Sequence, residues 1–373
     1  MRYFRSQGMK IHYIANIRLP TEKAHGAQIM KTCEALANAG AQVELLVPRR
    51  HTHIKESSFA YYGVQENFSI TFLPVLDLVW LGRVGFWLES LSFSFFALLN
   101  LLGARGVCYS RDELPLFLLS FFQKNIVWES HTGRYNFLIQ RLLQHTAKLV
   151  VISEGLQKFY EERTKNLQIL VAPDAIDLDA FLRPESKETA RARLGLPQDK
   201  KIALYIGRLD GWKGVSTLFD AAKHLPQDIV VAVIGGEENE VQRFRSQYPH
   251  VIFLGARPYR ELADNQAAAD VLVLPNTGKD KISAQFTSPM KLFSYMAARK
   301  PIVSSDLPSL REVLNEQNAV FFEPDNAESL AQAIVRVCGD PGLARRVADT
   351  ARTDVAKYTW NERAQSILAF LKV

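Results

Sequence analysis

The chain has 373 residues, 47% of them hydrophobic. This is enough for two domains with separate cores, because single cores rarely grow past about 250–300 residues. Cys33, Cys108 and Cys338 lie far apart and form no C-x-x-C pair, which excludes a disulfide framework or a zinc site of that type and favours a reducing compartment. No apolar segment with a cleavage site follows the first residues, MRYFRSQG, so no secretion signal is predicted.

The positive charge is concentrated in the first half of the chain. The formal net charge is +6, and residues 1–175 carry 19 Lys and Arg against 14 Asp and Glu, which accounts for +5 of it. Such asymmetry favours contact with anionic lipid or another polyanion. No basic motif interleaved with aromatic residues supports nucleic-acid binding, which would rest on the net charge alone.

Short apolar runs alternate with helical patterns along the chain. Strands are predicted at 11–17, 43–47, 70–72, 106–109, 126–129, 149–152 and 168–171, and again, after Pro184, at 201–206, 229–234, 251–253, 271–274, 302–304 and 319–322. Helices such as 28–39 and 154–163 fall between most of them. This alternation predicts two α/β domains, each with a parallel sheet covered on both faces and a ligand-binding edge at the carboxyl ends of its strands.

The segment 91–102 is strongly apolar but is shorter than the roughly 20 residues that a membrane-spanning helix needs. A buried core helix is therefore predicted there. The alternative is a monotopic anchor, in which Trp80, Phe86 and Trp87, with Arg83 beside them, lie in a membrane interface.

The segment 203–214, ALYIGRLDGWKG, places two cations on a glycine-rich turn between a predicted strand and a predicted helix. Gly207 permits a close backbone approach, Arg208 can donate two hydrogen bonds to phosphate oxygens, and Lys213 lies near a helix start, where backbone amides also favour anions. The turn therefore suits a diphosphate. An isolated match of this kind is more often a surface loop with two solvated cations, so the motif indicates a phosphate site only if other segments of the chain support it.

Other motifs give little support to competing chemistries. The sequence has no G-x-G-x-x-G before the first helix, no P-loop, no G-x-S-x-G and no H-E-x-x-H. Asp177 and Asp179 form a D-x-D that binds a divalent ion in some nucleotide-sugar enzymes, but its position in a turn favours a capping role. No metal site is predicted.

Several segments, in order and with their spacing, together resemble the retaining glycosyltransferases of family 4, over nearly the whole chain. They are 23–30, 127–131, 151–154, 171–177, 203–214, 233–236, 253–255, 270–275, 287–297, 300–306 and 358–360. The resemblance implies a GT-B fold, with two doubly wound Rossmann-like domains facing across a cleft. Residues 1–175 would bind the acceptor, residues 176–357 would bind the nucleotide sugar, and residues 358–373 would form a helix crossing back to the first domain.

The resemblance also implies roles for individual residues. Arg208 and Lys213 would hold the donor diphosphate and stabilise its charge as it departs, and His131 would face the sugar near the anomeric centre. Fixed cations can do this without a metal. The resemblance assigns further residues to donor binding. Gly26 would lie in a cleft loop, Gly207 in the phosphate turn and Arg257 near the base. At a helix start, with Pro289 as the first helical residue, it assigns Ser288, Pro289, Met290 and Lys291, and later in that helix Ser294.

One departure from the family concerns the ribose. The family commonly has two glutamates eight positions apart, and the second holds the ribose hydroxyls; here these positions are Phe286 and Ser294. A serine has a single hydroxyl and a shorter reach, so a bidentate contact is lost.

These features predict a cytoplasmic enzyme, at the inner face of the membrane if the anchor forms, that needs no cofactor or metal. It would move a sugar, with retention, from a nucleoside-diphosphate sugar to a glycan, lipid-linked or small hydroxylated acceptor. Two alternatives remain open: a GT-B sugar-nucleotide epimerase, and a catalytically silent nucleotide-sugar-binding subunit, which the substitutions at Phe286 and Ser294 suggest.

Overall fold

The structure is a computed structural model that describes residues 8–146 and 148–372. The chain divides into two compact units: unit 1 comprises the described residues up to Pro173 together with those from Trp360 onward, and unit 2 is Asp174–Thr359. The boundaries expected from the sequence, after residues 175 and 357, lie two residues from these. Residues 1–7, on which the expectation of no secretion signal partly depends, lie outside the described part of the chain.

Each unit contains one parallel sheet. In the described residues the sheet of unit 1 has seven strands in the order β3-β2-β1-β4-β5-β6-β7, and that of unit 2 has six in the order β10-β9-β8-β11-β12-β13. The strands are β1 (Lys10–Ile14), β2 (Gln42–Pro48), β3 (Ser69–Leu73), β4 (Val107–Ser110), β5 (Ile126–Ser130), β6 (Lys148–Val151), β7 (Gln168–Val171), β8 (Lys201–Ile206), β9 (Ile229–Ile234), β10 (Val251–Phe253), β11 (Val271–Leu274), β12 (Ile302–Ser305) and β13 (Val320–Phe322).

Helices connect the strands and cover the sheets. They are α1 (Ala24–Asn38), α2 (Ser58–Tyr62), α3 (Arg83–Leu101), α4 (Glu113–Leu119), α5 (Phe137–His145), α6 (Glu154–Glu161), α7 (Lys187–Leu194), α8 (Val215–Ala221), α9 (Glu238–Gln247), α10 (Leu262–Ala267), α11 (Met290–Ala297), α12 (Pro308–Arg311), α13 (Ala327–Gly339), α14 (Pro341–Asp354) and α15 (Trp360–Lys372).

The predicted strands are all present, with bounds that differ by no more than three residues. Their apolar runs predicted them because a parallel strand is buried on both faces, and β11 and β12 are in fact buried at every position. The two doubly wound sheets expected from the sequence are therefore confirmed.

The prediction of a buried core helix at 91–102 is wrong. The residues belong to α3, a helix of 19 residues with mean hydropathy 1.4, of which only 39% is buried. Leu91, Phe95, Leu99 and Leu102 are between 47% and 52% exposed. Among the described residues, α3 is the one helix long and apolar enough to cross a membrane by length and composition. The apolar run indicated a helix correctly, but it could not indicate which face the sheet covers.

The last helix, α15, belongs to unit 1, where it packs against α1. The Lys148 ammonium donates hydrogen bonds to the carbonyl oxygens of Phe370 and Leu371, at 2.9 and 3.1 Å. A cation on the last carbonyls of a helix satisfies acceptors that have no partner within the helix. This contact fastens the end of the chain to the sheet of unit 1.

A buried arginine organises the start of the unit 2 sheet. Arg191 on α7 is 2% exposed, and its guanidinium donates to the carboxylate of Asp270 and to the carbonyl oxygen of Ala268. Asp270 also accepts from the backbone N–H of Ile202 at 2.7 Å, at the beginning of β8. Burial by itself raises the pKa of Asp270, but hydrogen bonds from Lys187 and Ile202 and the charges of Lys187 and Arg191 hold it below its ordinary value.

We expect Arg191→Leu to lower the free energy of unfolding of unit 2 by about 3–5 kcal/mol, because it leaves Asp270 and several buried carbonyls without their donor. Hydrogen–deuterium exchange of unit 2 amides in a urea series measures the loss. Lys223→Leu is the matched control, since the Lys223 side chain is 53% exposed and its surface pair with Asp220 should add little to stability. Equal losses in the two variants would contradict the role given to the buried pair.

Candidate functional site

Three loops of unit 2 meet at the carboxyl edge of its sheet. The Gly207 N–H donates to the carbonyl of Ile234 at 2.9 Å, and the Gly235 N–H donates to the carbonyl of Gly255 at 2.8 Å. A Cβ on Gly235 would lie 2.0 Å from the Gly207 carbonyl oxygen, and Gly235 has φ +125°. Only glycine fits such an approach. The loops after β8, β9 and β10 are thus fastened together by backbone contacts.

The fourth loop, after β11, contacts the end of the predicted phosphate turn. Gly214 has φ +69°, and a Cβ there would lie 1.7 Å from the carbonyl oxygen of Pro275. The turn itself closes as a 3-10 helix, Gly211–Lys213, and α8 follows directly. This contact fixes the position of the turn that carries Lys213 relative to the loop after β11.

Two partly buried lysine side chains lie at this edge. The Lys291 ammonium, on the first turn of α11, has no hydrogen-bond partner among the described residues and lies 3.8 Å from the centroid of the Tyr205 ring. The Lys213 ammonium lies 3.4 Å from the Trp212 ring centroid. The aromatic faces attract these cations but supply no hydrogen-bond acceptor.

Burial controls the titration of both lysines. It lowers the pKa of Lys213 to about 8, Arg208 adds to the effect, and Asp210 and Asp174 oppose it. Burial, followed by the charge of Lys213, holds the pKa of Lys291 well below its usual range. Two desolvated ammonium groups that repel each other create a place where an anion is stabilised.

Gly207 leaves the space that Lys291 occupies. A Cβ on Gly207, which has φ +148°, would lie 2.5 Å from the Lys291 ammonium nitrogen. Gly207, which was predicted to allow a close approach by a phosphate, therefore also leaves room for the Lys291 ammonium, a third cation, at the end of β8.

Arg208 lies at the solvent side of this cluster. Its side chain is 65% exposed, and its guanidinium donates to Asp210 at 3.0 Å. The Tyr205 hydroxyl donates to the Arg208 carbonyl oxygen at 2.7 Å, which fixes the backbone while the side chain remains accessible. An exposed pair of this kind is weak, so a phosphate can replace Asp210 as the acceptor at little cost.

The start of α11 also lies at this edge of the sheet. Pro289 is the N-cap residue and Met290 the first helical residue, so the prediction that Pro289 stands first in the helix is wrong by one position. No side chain caps this helix start. The Ser288 hydroxyl instead accepts the backbone N–H of Asp174 at 3.2 Å. An uncapped helix start offers backbone N–H groups to an anion.

Ser294 does not face the solvent. It is 1% exposed, and its hydroxyl donates to the Lys291 carbonyl oxygen at 2.9 Å and accepts from the Gln266 side chain at 2.9 Å. Phe286 is buried as well, at 3% exposure. The two family glutamate positions therefore form part of the interior here, and Ser294 anchors α11 from within.

Arg257, expected near the base, follows β10 and is exposed, with its guanidinium donating to the carbonyl oxygen of Ala256 at 3.3 Å. Asp177, in the D-x-D, accepts the backbone N–H of Asp179 at 3.1 Å and so caps the turn that follows. Within the described chain, no group of three or more His, Cys, Asp and Glu side chains is placed to hold a metal ion.

A cavity of about 450 Å³ lies on the other side of the turn, lined by Trp212, Thr217 and Thr277 among others. Three carboxylates, those of Asp220, Asp280 and Asp325, line it against the single cation Lys279. Because like charges repel, this acidic cavity does not suit a diphosphate. The cationic edge formed by Arg208, Lys213 and Lys291 is the better anion site.

In unit 1 the candidate residue His131 directly follows β5. Its Nε2 lies 2.6 Å from Oε1 of Glu129, and its side chain is 16% exposed. Glu129 stands two residues earlier on β5 and is completely buried. A carboxylate bonded to one ring nitrogen fixes the orientation of an imidazole.

Glu129 is the centre of a buried network. It also accepts hydrogen bonds from the Gln28 amide at 3.1 Å and from the Tyr109 hydroxyl, and it forms an ion pair of 2.8 Å with Arg363. Burial alone would raise the pKa of Glu129, but Arg363, His131 and Arg111 together hold it well below the ordinary value. The carboxylate is therefore charged in the folded protein.

The prediction that Gly26 lies in a cleft loop is wrong. Gly26 is buried in the first turn of α1, and a Cβ there would lie 2.2 Å from the Tyr62 hydroxyl. That hydroxyl donates to the carbonyl of Thr21 and accepts the N–H of Thr21. The glycine makes room for this tyrosine, which locks the segment after β1.

The structure brings Gly207, Arg208, Lys213, Lys291 and the helix start at Ser288 to one edge of unit 2. It places Ser294 inside that unit, and His131 and Gly26 in unit 1. The sequence interpretation missed Glu129, although its position two residues before His131 on a strand was a signal. No local signal pointed to Arg363, which lies 234 positions further along the chain.

The fold and this edge can now be compared with known proteins. Residues 186–354 match the family model of the glycosyl transferases group 1. The chain is 27% identical over 236 residues to a putative teichuronic acid biosynthesis glycosyltransferase of Bacillus subtilis, covering 63% of this chain and 58% of that one. It is 30% identical over 218 residues to a D-inositol 3-phosphate glycosyltransferase of Xylanimonas cellulosilytica, covering 54% and 50%. The matches thus span about half the length of these relatives.

Solved structures agree over the whole chain. A sucrose-phosphate synthase of Thermosynechococcus elongatus has a TM-score of 0.77 at 20% identity, with 98% of both chains covered. HepE of Anabaena, in complex with UDP and glucose, also has a TM-score of 0.77, at 16% identity and with 98% and 99% covered. The GT-B fold is confirmed by these structures, and residues 186–354, which lie in unit 2, are similar to the glycosyl transferases group 1.

We expect Glu129→Gln to lower the free energy of unfolding of unit 1 by about 3–5 kcal/mol, because the Arg363 guanidinium loses its counter-charge in the interior. The pKa of Glu129 is depressed on folding, so the stabilisation is present above the ordinary value of 4.5 and is lost as the pH falls through the folded value. Hydrogen–deuterium exchange of unit 1 amides measures both effects. The matched control is Glu113→Gln, whose partly exposed carboxylate lies 3.9 Å from Arg134; its stability should change by less than about 1 kcal/mol.

Proposed function

We propose that the protein is a retaining glycosyltransferase of family 4 that moves a hexose from a nucleoside-diphosphate sugar to a glycan, lipid-linked or small hydroxylated acceptor. It would do so without a metal or another cofactor. The observation that carries this proposal is the cationic edge of unit 2, where the Lys291 ammonium is buried without a hydrogen-bond partner among the described residues and Lys213 and Arg208 lie beside it.

The charge of the leaving group explains the arrangement. When the bond between the anomeric carbon and the diphosphate breaks, negative charge grows on the diphosphate oxygen, and cations fixed beforehand lower the barrier. Two of the three cations are desolvated, so their attraction for the diphosphate is stronger than in water. The uncapped start of α11 adds backbone donors. These groups supply the charge compensation that a divalent metal would otherwise give.

The role proposed for His131 is to contact the sugar near the anomeric carbon. Glu129 fixes the orientation of its ring through Nε2. Retention would follow a front-face displacement, in which the departing diphosphate accepts the proton of the acceptor hydroxyl. The bond from the anomeric carbon to the diphosphate oxygen breaks, and a bond from that carbon to the acceptor oxygen forms on the same face.

The names of similar proteins support the substrate classes. Structures of HepE contain UDP or UDP-glucose, and a related mannosyltransferase of Mycobacterium leprae is named for phosphatidyl-myo-inositol. A cytoplasmic location is part of the proposal, and it is supported by the three cysteines, which are all free thiols.

Incubation with a panel of nucleotide sugars and glycan or lipid-linked acceptors, followed by mass spectrometry, tests the proposal. We expect transfer from one donor class, unaffected by EDTA, and a product whose anomeric configuration, determined by NMR, matches that of the donor. Arg208→Ala should lower transfer by at least about a hundredfold, as for the loss of one group that stabilises transition-state charge. Wild-type turnover in that variant would contradict the assigned role.

The same experiment separates the two alternatives. Conversion of the donor sugar into another sugar nucleotide without an acceptor would indicate an epimerase. Binding of a donor without transfer or hydrolysis would indicate a catalytically silent subunit. The burial of Phe286 and Ser294 is the observation that supports the catalytically silent subunit as the second candidate.

Donor affinity should depend on pH through Lys213. Its pKa of about 8 in the free protein means that the ammonium is present below pH 8 and is lost above it, whereas a bound diphosphate favours the charged form. We expect the affinity for UDP to fall as the pH rises through about 8, by up to about tenfold per unit. Titration calorimetry between pH 7 and 9.5 measures this.

Lys213→Arg provides the control, because a guanidinium keeps its charge over that range. The variant should bind UDP with little change between pH 7.5 and 9. A fall of equal steepness in both proteins would show that another group controls the pH dependence.

A further inference from the structure

The helix α3 has apolar side chains on both its buried and its exposed face. Its inner face carries Phe93, Ala97 and Leu101 beside the buried polar residues Glu89, Ser90 and Ser94, and Glu89 accepts a hydrogen bond from the Asn16 side chain at 3.1 Å. Its outer face carries large apolar side chains that are exposed. In most soluble proteins a surface helix turns its apolar stripe inward and its polar residues outward. The outer face of α3 therefore requires an apolar environment outside the unit.

The exposed residues form one continuous stripe, here called the α3 face. They recur every three or four positions along the helix: Val84, Trp87, Leu91, Phe95, Leu99 and Leu102. The spacing of three and four places them on one side of a helix about 28 Å long. The stripe is as long as the helix, which distinguishes it from scattered apolar residues on an ordinary surface.

Exposed aromatic residues extend the α3 face beyond both ends of the helix. Trp80 precedes α3 and is 78% exposed, while Phe121 and Phe122, after α4, are 56% and 62% exposed. The Gln123 side chain donates to the Leu101 carbonyl oxygen at 2.8 Å, which holds Phe121 and Phe122 near the end of α3. Tryptophan and phenylalanine at such positions are typical of helices that lie in a lipid interface.

The exposed charges of α3 and of the segment after it are positive, while an exposed carboxylate, Asp77, precedes the helix and is paired with Arg50 at 3.3 Å. Between residues 78 and 110 the exposed charged side chains are Arg83 and Arg105, one at each end of α3, and Lys124 lies beside Phe122. The one carboxylate in that stretch, Glu89, is completely buried. An apolar stripe with cations at its ends and no exposed carboxylate on the helix complements a surface that is apolar inside and anionic outside.

A second copy of the chain fits this pattern poorly. A two-fold axis perpendicular to α3 would bring the Arg83 end of one copy to the Arg105 end of the other, and an axis parallel to α3 would bring like ends together. In both cases arginines meet, with no exposed carboxylate on α3 to pair with them. Crossing the membrane is also excluded for the folded unit, because α3 packs against α4, β2 and β3 along its inner face. An arrangement parallel to the membrane plane satisfies both faces.

We propose that unit 1 docks through the α3 face on an anionic lipid surface, with α3 parallel to the membrane plane. The apolar stripe enters the boundary between headgroups and acyl chains, Trp80 and Trp87 lie at the level of the headgroups, and Arg83, Arg105 and Lys124 contact lipid phosphates. The contact is monotopic, so the protein binds reversibly and remains folded.

Co-sedimentation of the full chain with vesicles tests the docking. Vesicles of phosphatidylcholine with 30% phosphatidylglycerol should bind the protein, with a blue shift of tryptophan fluorescence. Trp87→Glu and Phe95→Glu should each weaken binding at least tenfold, because each removes a large apolar side chain from the lipid and introduces a charge. Leu182→Glu, at a 64% exposed position of unit 2, is the matched control and should bind as the wild type does.

Arg83→Gln combined with Arg105→Gln should weaken binding to the anionic vesicles about thirtyfold, at about 1 kcal/mol per charge, and reduce the preference over pure phosphatidylcholine by the same factor. Circular dichroism and UDP binding should be unchanged in all these variants, which separates docking from folding and from the donor site. No binding to anionic vesicles, or equal binding of Phe95→Glu and wild type, would overturn the proposal. A dimer in sedimentation velocity that Phe95→Glu dissociates would assign the face to self-association instead.

Discussion

A parallel strand must be followed by a crossover to the other end of the sheet, so within each sheet all strands end at the same edge of that sheet. This constraint places the candidate residues. Arg208 and Lys213 follow β8, the glycine pair at 235–236 follows β9, and His131 follows β5. Residues that are far apart in the chain meet at an edge because of topology, while close contacts such as Gly214 against the Pro275 carbonyl determine their final positions.

The two units differ in how their buried charged groups are compensated. In unit 1, Glu129 is buried together with Arg363 and several hydrogen-bond donors, so its charge is balanced and its pKa is depressed. In unit 2, Lys291 and Lys213 are partly buried near each other, and their pKa values are lowered because burial disfavours the charged forms and Asp210 offsets this only in part. A balanced network holds a residue in position, whereas an unbalanced one favours binding of a ligand of opposite charge. This difference supports a positioning role for Glu129 and a binding role for the lysines.

The site could be predicted from the sequence where the signal was local. The spacing of Gly207, Arg208 and Lys213 follows from one turn, and the structure keeps these residues together. The errors have a common cause, which is that burial depends on distant partners. Gly26 was assigned to a loop because its partner, the Tyr62 hydroxyl, lies 36 positions away, and the burial of Ser294 could not be foreseen because its partner, Gln266, lies on another helix.

The sequence by itself determined the two parallel sheets, since continuous apolar runs separated by helical patterns have few other packed solutions. It also determined the cationic turn after β8, whose residues are adjacent in the chain. Only the tertiary structure decided which side of α3 the sheet covers. The other side is an apolar face open to solvent, which the sequence had suggested was core. Only the tertiary structure joined Arg363 to Glu129, because hydrophobic periodicity describes one element at a time, while burial and charge pairing depend on which elements become neighbours in the fold.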